Sequence, residues 1–208
     1  MNSRFWGRLA LAALVLFGIL LTALHFIEPE LDPSRRLISE YQLGRYGWVM
    51  SVAFFSLGVG VFATLVSTWD SSTTRRSLIG RAWFLAIGAA LFGAGIFYPY
   101  TPPTLASYIH GLCGVIVIVT FPIAAALYSS GLARSQAWTR RRLRWATVFV
   151  WMGLLAFVGS TIILGTLSQP VDRASPHLLI GWQNRFMILT YAFWLMVVAW
   201  SVAFPNKD

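Results

Sequence analysis

Residues 105–128 read LASYIHGLCGVIVIVTFPIAAALY, and this stretch decides the fold. It contains no lysine, arginine, aspartate or glutamate. An α-helix of about 20 apolar residues crosses the ~30 Å hydrocarbon core of a bilayer. The stretch therefore predicts a transmembrane helix rather than a helix of a water-soluble domain.

Similar apolar runs divide most of the remaining chain. With 57% hydrophobic and 11% charged residues and a mean hydropathy of +0.67, the composition excludes a water-soluble globular protein. We predict an all-α integral membrane bundle of six transmembrane helices, forming a single domain over residues 1–208. The helices cover about residues 9–27, 40–68, 82–99, 105–128, 145–167 and 176–204.

The net charge of +9 is distributed unevenly among the loops. Short cytoplasmic loops hold an excess of Lys and Arg, so the side with more cations is predicted to be cytoplasmic. That side holds Arg4, Arg8, Arg75, Arg76, Arg81, Arg134, Arg140, Arg141, Arg142, Arg144 and Lys207. The other side holds Arg35, Arg36, Arg45, Arg173 and Arg185. We predict that both termini are cytoplasmic and that the protein is a multi-pass component of the inner (cytoplasmic) membrane.

The densest charge is the segment TRRRLR at residues 139–144. A topology anchor explains it without any ligand. Attraction to anionic lipids, worth about 1 kcal/mol per cation near the surface, is the alternative. Nucleic acid is not a predicted partner, because the cations lie between apolar runs rather than on a soluble face with stacking aromatic residues.

Acids and histidines concentrate on the side opposite the termini, and this asymmetry is the main functional signal. Five of the seven acids and all three histidines fall there: Glu28, Glu30, Asp32, Glu40, Asp172, His25, His110 and His177. Ionisable groups just inside a membrane usually face the bundle and find partners. We therefore expect some of these side chains to line a common pocket.

Helix two is predicted to begin near Glu40, because Ser39 and Gln42 fit a capping box. At about 100° per residue, Glu40 then shares a face with Gly44, Gly47, Ser51 and Gly58, while Tyr41, Arg45 and Trp48 share a neighbouring face. Glu40 is either a site acid or a solvated carboxylate at headgroup level.

Helices four and six contribute the other candidates. His110 lies two turns into helix four, where it either belongs to a site or donates to a neighbouring carbonyl. Arg185 lies near the start of helix six, where it either clamps an anion or extends towards the headgroups. Ser175 and Pro176 predict the start of that helix. The predicted ligand-binding set is Glu40, Tyr41, Arg45, His110, Gln183 and Arg185, with His110 and Glu40 as the candidates for acid–base catalysis.

Motifs for phosphate binding, metalloprotease chemistry or serine hydrolysis are missing from the sequence. The single cysteine, Cys113, cannot form an intramolecular disulfide. The histidine and acid spacings are irregular for a zinc or haem site, so we predict no metal and no cofactor.

The six-span layout resembles the prokaryotic membrane family catalogued as domain of unknown function 998. The resemblance covers essentially the whole chain and rests on ISEY at residues 38–41, on residues 44–48, on His110-Gly111 and on residues 181–185. Members of that family often have an acid in the loop before the helix-four histidine, whereas residues 98–102 here read YPYTP. The resemblance implies a fold and a membrane location, and no activity.

Three functions remain open from the sequence. In the first, an outward-facing polar pocket binds a membrane lipid headgroup or a small amphiphile, with Arg185 as the anion contact. In the second, the protein is a lipid-processing enzyme in which His110 and Glu40 share a proton. In the third, it is a component of a small transporter. Whether the protein is an enzyme is not decided by its sequence.

Overall fold

The computed structural model describes residues 2–71, 74–133, 140–167 and 180–205. Within these ranges the chain is helical and has no strand. Six α-helices are long and apolar enough to cross a membrane, which confirms the predicted all-α membrane bundle. They are α1 (Ser3–Ile27), α2 (Gly47–Ser67), α3 (Arg75–Ile96), α4 (Leu105–Leu132), α5 (Arg140–Leu167) and α6 (Ile180–Ala203).

Three helices begin earlier than predicted: α5 begins at Arg140 rather than near residue 145, and α1 and α3 are extended by polar residues that cap them before the apolar runs start. Asn2 accepts a hydrogen bond from the backbone N–H of Phe5 at 3.2 Å, so α1 begins at Ser3 rather than near residue 9. Thr74 caps α3 in the same way, and that helix begins at Arg75 rather than near residue 82. The predicted start of helix six, near residue 176, lies outside the described residues.

Both ends of the described chain lie at one end of the bundle. A Cβ added to Gly7 would lie 3.0 Å from the backbone nitrogen of Ala203, so α1 and α6 approach closely there. We call this the terminal end, and we call the opposite end, which carries residues 28–46, the polar end. That the terminal end faces the cytoplasm stays a prediction from the cation distribution.

Helix two differs from its prediction. Ile38–Leu43 form a separate 3-10 helix, and α2 begins at Gly47, so the expected start near Glu40 is wrong. At this break the carbonyl of Gln42 packs against Gly47 so closely that a Cβ at residue 47 would collide with it. Glu40 therefore does not continue the Gly47–Ser51 face of α2.

Gln42, which was predicted to complete the capping box, is instead buried between helices. Its amide nitrogen donates to the carbonyl of Ala94 at 2.9 Å and to Ser51 Oγ at 3.1 Å. Glu40 is the residue that reaches back, since its Oε2 accepts from the backbone N–H of Leu37 at 2.8 Å. The 3-10 helix is thus held against the turns of α2 and α3 at the polar end.

Candidate functional site

Arg185 points into the bundle at the polar end and is only 4% exposed. Its Nε donates to Nε2 of His25 at 2.8 Å. Its Nη1 donates to the carbonyls of Arg36 at 2.7 Å and Gly181 at 2.9 Å. Arg185 is therefore fixed by three acceptors and does not extend towards headgroups, which was one of its two predicted conformations.

The fourth guanidinium contact is missing. Nη2 of Arg185 is buried and has no hydrogen-bond acceptor among the described residues. Nor do those residues place a carboxylate within ion-pair distance of Arg185, since the ion pairs found there join Arg35 to Asp32 and Arg36 to Glu40. The cation is held by neutral groups, with one of its nitrogens left to bind an acceptor.

His25 is fixed in one tautomer by its two neighbours. Its Nδ1 lies 2.7 Å from the carbonyl of Leu21, and a carbonyl can only accept. The proton is therefore on Nδ1, and the lone pair of Nε2 accepts from Arg185. His25 is a neutral acceptor that orients the guanidinium.

Tyr41 closes the third side of this arrangement and is fully buried. Its ring centroid lies 5.4 Å from the guanidinium carbon of Arg185 and 5.7 Å from the ring of His25. Its hydroxyl donates to the carbonyl of Leu31 at 3.2 Å, and burial raises the pKa of Tyr41. We call Arg185, His25 and Tyr41 the Arg185 cluster.

The 3-10 helix is tied to α6 beside this cluster. Oδ1 of Asn184 accepts from the backbone N–H of Ile38 at 3.0 Å. Asn184 is buried and adjacent to Arg185 on α6. The 3-10 helix, which carries Tyr41, is thereby fixed to α6 next to Arg185.

An apolar groove between α1 and α6 leads to the Arg185 cluster. Its cavity volume is about 800 Å³, and it spans α1 from Val15 to Phe26, roughly 16 Å at 1.5 Å per residue. A Cβ added to Gly18 in this groove would contact nothing within 4 Å. The ionisable side chains that line it are His25 and Arg185.

His110 lies at a different place. Its Nδ1 donates to the carbonyl of Phe97, the residue that follows α3, at 2.7 Å, and its ring packs edge-to-face on Phe54 with ring centroids 6.2 Å apart. It borders a smaller cavity of about 90 Å³ together with Ser39 and Asn184. The structure thus gives His110 the neighbouring-carbonyl contact that was one of its two predicted roles.

The remaining predicted residues, Glu40, Arg45 and Gln183, differ in their surroundings. Glu40 accepts from Leu37 and Arg36, and lies beside the Arg185 cluster because Arg36 also supplies the carbonyl bound by Arg185. Arg45 is exposed, with its guanidinium 5.4 Å from the ring of Tyr46. Gln183 is partly buried and its Oε1 has no partner among the described residues.

The residues that were predicted to line a single pocket therefore lie at two separate places. Tyr41 and Arg185 come together, with Glu40 at their edge, whereas His110 faces a separate cavity. No hydrogen bond joins His110 to a carboxylate within the described ranges. The candidate His177 lies outside those ranges.

The sequence placed His25 and Glu28 at this end, but the predicted ligand-binding set did not include either of them. The signal was present, because Phe17, Leu21, Leu24 and Glu28 follow one helical face and all are buried. Glu28 is 0% exposed; its Oε1 accepts from the backbone N–H of Tyr46, and its Oε2 has no partner among the described residues. Burial raises the pKa of the Glu28 carboxyl.

Metal ligation finds no support in the parts of the chain that the structure describes. They contain no group of three or more His, Cys, Asp or Glu side chains that could hold an ion. What the polar end offers chemically is a fixed cation, a neutral imidazole and an apolar groove.

Comparison with known proteins gives a family and no activity. No curated protein and no solved structure is significantly similar to the chain. One family model matches residues 10–201, which is nearly the full length of the six-helix bundle described above. By that match the chain belongs to the membrane family described as protein of unknown function (DUF998).

Proposed function

We propose that this protein binds an amphiphile with an anionic head, either a lipid or a smaller molecule, in the groove between α1 and α6. The head would bind Nη2 of Arg185, and the apolar tail would lie along the groove towards Val15. The observation that carries the proposal is the buried Nη2, which has no acceptor among the described residues.

A buried charged donor without an acceptor is expensive. Leaving such a group unsatisfied costs about 1–3 kcal/mol, and more when it carries charge. His25 accepts from Nε as a neutral group, so the cluster keeps the positive charge of Arg185. A phosphate or carboxylate would supply both the acceptor and the opposite charge.

The groove has the composition that an acyl chain requires. Its walls include Val15, Ile19, Phe186 and Leu189, and the exposed aromatic residues Phe26 and Trp182 stand at the end nearest Arg185. Aromatic residues of this kind concentrate at headgroup depth in membranes. A tail in the groove and a head at Arg185 would therefore match the polarity of the surroundings along the whole ligand.

The test fills the groove without altering the cation. Gly18→Leu places a side chain in the groove, where a Cβ meets nothing within 4 Å, and Gly159→Leu makes the same change at an equally open position on α5. The probe is dodecyl phosphate, compared with dodecanol, in protein purified in a nonionic detergent. Binding is measured by the shift in melting temperature and by titration.

We expect dodecyl phosphate to bind and dodecanol to bind far more weakly. Displacing two or three methylenes at about 0.8 kcal/mol each should weaken binding to Gly18→Leu by about tenfold or more, with Gly159→Leu unchanged. Equal binding of both probes, or equal loss in both variants, would overturn the proposal.

The enzymatic alternative has less support. A lipid-processing enzyme using His110 and Glu40 needs the two side chains to share a proton, whereas the described contacts join His110 to the Phe97 carbonyl and Glu40 to Leu37 and Arg36. No specific observation favours transport. We place the protein in the inner membrane on the cation distribution alone.

A further inference from the structure

Two clefts flank Trp145 at the terminal end. One, of about 490 Å³, lies between α5 and α6, and the other, of about 530 Å³, lies along α5. Arg141 and Trp145 border both clefts. These residues are far from Arg185, so they form a separate surface.

No carboxylate among the described residues pairs with the cations of this surface. Arg140, Arg141, Arg142 and Arg144 are all exposed. Within the described ranges, neither of the ion pairs involves them, and Arg140 donates instead to the carbonyl of Ala133 at 3.2 Å. Four cations therefore lie within little more than one helical turn without a carboxylate partner in that part of the chain.

The side chains change in polarity along the helix in the way a phospholipid does. Arg141, Trp145 and Phe149 are four residues apart, so they lie on one face of α5 at steps of about 6 Å. Phe149 meets Phe193 of α6 edge-to-face, with ring centroids 6.2 Å apart. From the helix start inward, the face presents a cation, an indole and then phenyl rings.

We propose that this face, Arg141 to Phe149 with Phe193, binds an anionic phospholipid. The lipid phosphate contacts Arg141 and its neighbours, the glycerol region lies beside the Trp145 indole, and an acyl chain occupies the cleft over Phe149 and Phe193. Anionic rather than zwitterionic lipid is favoured because several cations converge on one headgroup. The site shares no residue with the α1–α6 groove, so either can fail without the other.

The test reads the indole directly. Protein is placed in nanodiscs of phosphatidylcholine containing a minor fraction of brominated phosphatidylglycerol or, separately, brominated phosphatidylcholine, since bromine quenches indole fluorescence on contact. The Trp145 signal is the difference between the wild type and Trp145→Phe. We expect stronger quenching of this component by brominated phosphatidylglycerol.

Exposed substitutions provide the variants. Arg141→Gln and Arg142→Gln should each reduce the preference for phosphatidylglycerol by about fivefold, the factor expected for about 1 kcal/mol per cation. Arg75→Gln and Arg76→Gln, also exposed at the terminal end, should leave it unchanged. Equal quenching by the two brominated lipids, or an equal effect of the α3 pair, would overturn the proposal and leave the arginines as topology anchors.

Discussion

Arg185 on α6 donates a hydrogen bond from Nε to Nε2 of His25 on α1, at 2.8 Å. The two residues are 160 positions apart in sequence, so the contact fixes the first and last helices to each other at the polar end. It also fixes the orientation of the remaining guanidinium nitrogens.

Replacing His25 tests the acceptor role. His25→Phe keeps a ring but leaves Nε of Arg185 without a partner, and we expect a loss of about 1–3 kcal/mol in the free energy of unfolding. His25→Gln retains an acceptor and should lose less. Thermal unfolding in detergent measures both, and equal losses would contradict the hydrogen-bond role.

Glu28 should make stability fall as pH rises. Burial raises the pKa of Glu28 above its usual value of 4.5, so the folded protein holds a proton that the unfolded chain has released. The stabilisation is full below the usual pKa and is lost as pH rises through the raised pKa. Glu28→Gln should remove this slope and stabilise the protein at neutral pH, as measured by melting temperature across a pH series.

Asp32 provides the control with the opposite sign. Hydrogen bonds from the hydroxyl and the backbone N–H of Ser34 lower the pKa of Asp32. Its contribution is present above the usual carboxyl pKa and is lost as pH falls, so Asp32→Asn should flatten the acidic side of the profile. Glu28→Gln and Asp32→Asn profiles of the same shape would show that neither assignment is correct.

Gly47 should be intolerant of a side chain. Gly47→Ala places a methyl group on the Gln42 carbonyl and is expected to destabilise the protein despite the better helix propensity of alanine. Gly111→Ala, where a Cβ meets nothing within 4 Å, should be neutral or stabilising by up to about 1 kcal/mol. A Gly47→Ala protein with unchanged melting temperature would show that the Gln42 carbonyl does not pack closely against residue 47.

His110 is expected to act in stability and not in binding. His110→Ala removes the donor to the Phe97 carbonyl and should cost about 1–3 kcal/mol. Dodecyl phosphate binding should stay the same, because His110 faces a different cavity. A large loss of binding with the fold intact would instead connect the two cavities.

Membrane orientation can be measured with single cysteines. In a Cys113→Ala background, Glu30→Cys at the polar end should react with a membrane-impermeant maleimide in intact cells, whereas Arg76→Cys at the terminal end should react only after lysis. Both parent residues are exposed. The reverse labelling pattern would refute the predicted cytoplasmic location of the termini.

The helices could be predicted from the sequence because each apolar run is as long as a bilayer is thick. The break before α2 could not, since Gln42 is a common helix residue and only its contacts with Ala94 and Ser51 show why it leaves the helix. The orientation of Arg185 was equally hidden. Headgroups and buried carbonyls are both good acceptors, and the choice depended on the position of the Arg36 carbonyl.

The 3-10 helix also determines the route to Arg185. Gln42 binds this helix to α3, and Asn184 binds Ile38 to α6. The 3-10 helix therefore covers the polar end of the bundle. The groove beside Arg185 instead runs along the outer surfaces of α1 and α6. An amphiphile of the kind proposed would then enter sideways from the surrounding leaflet, and its occupancy should follow its mole fraction in the membrane rather than its concentration in water.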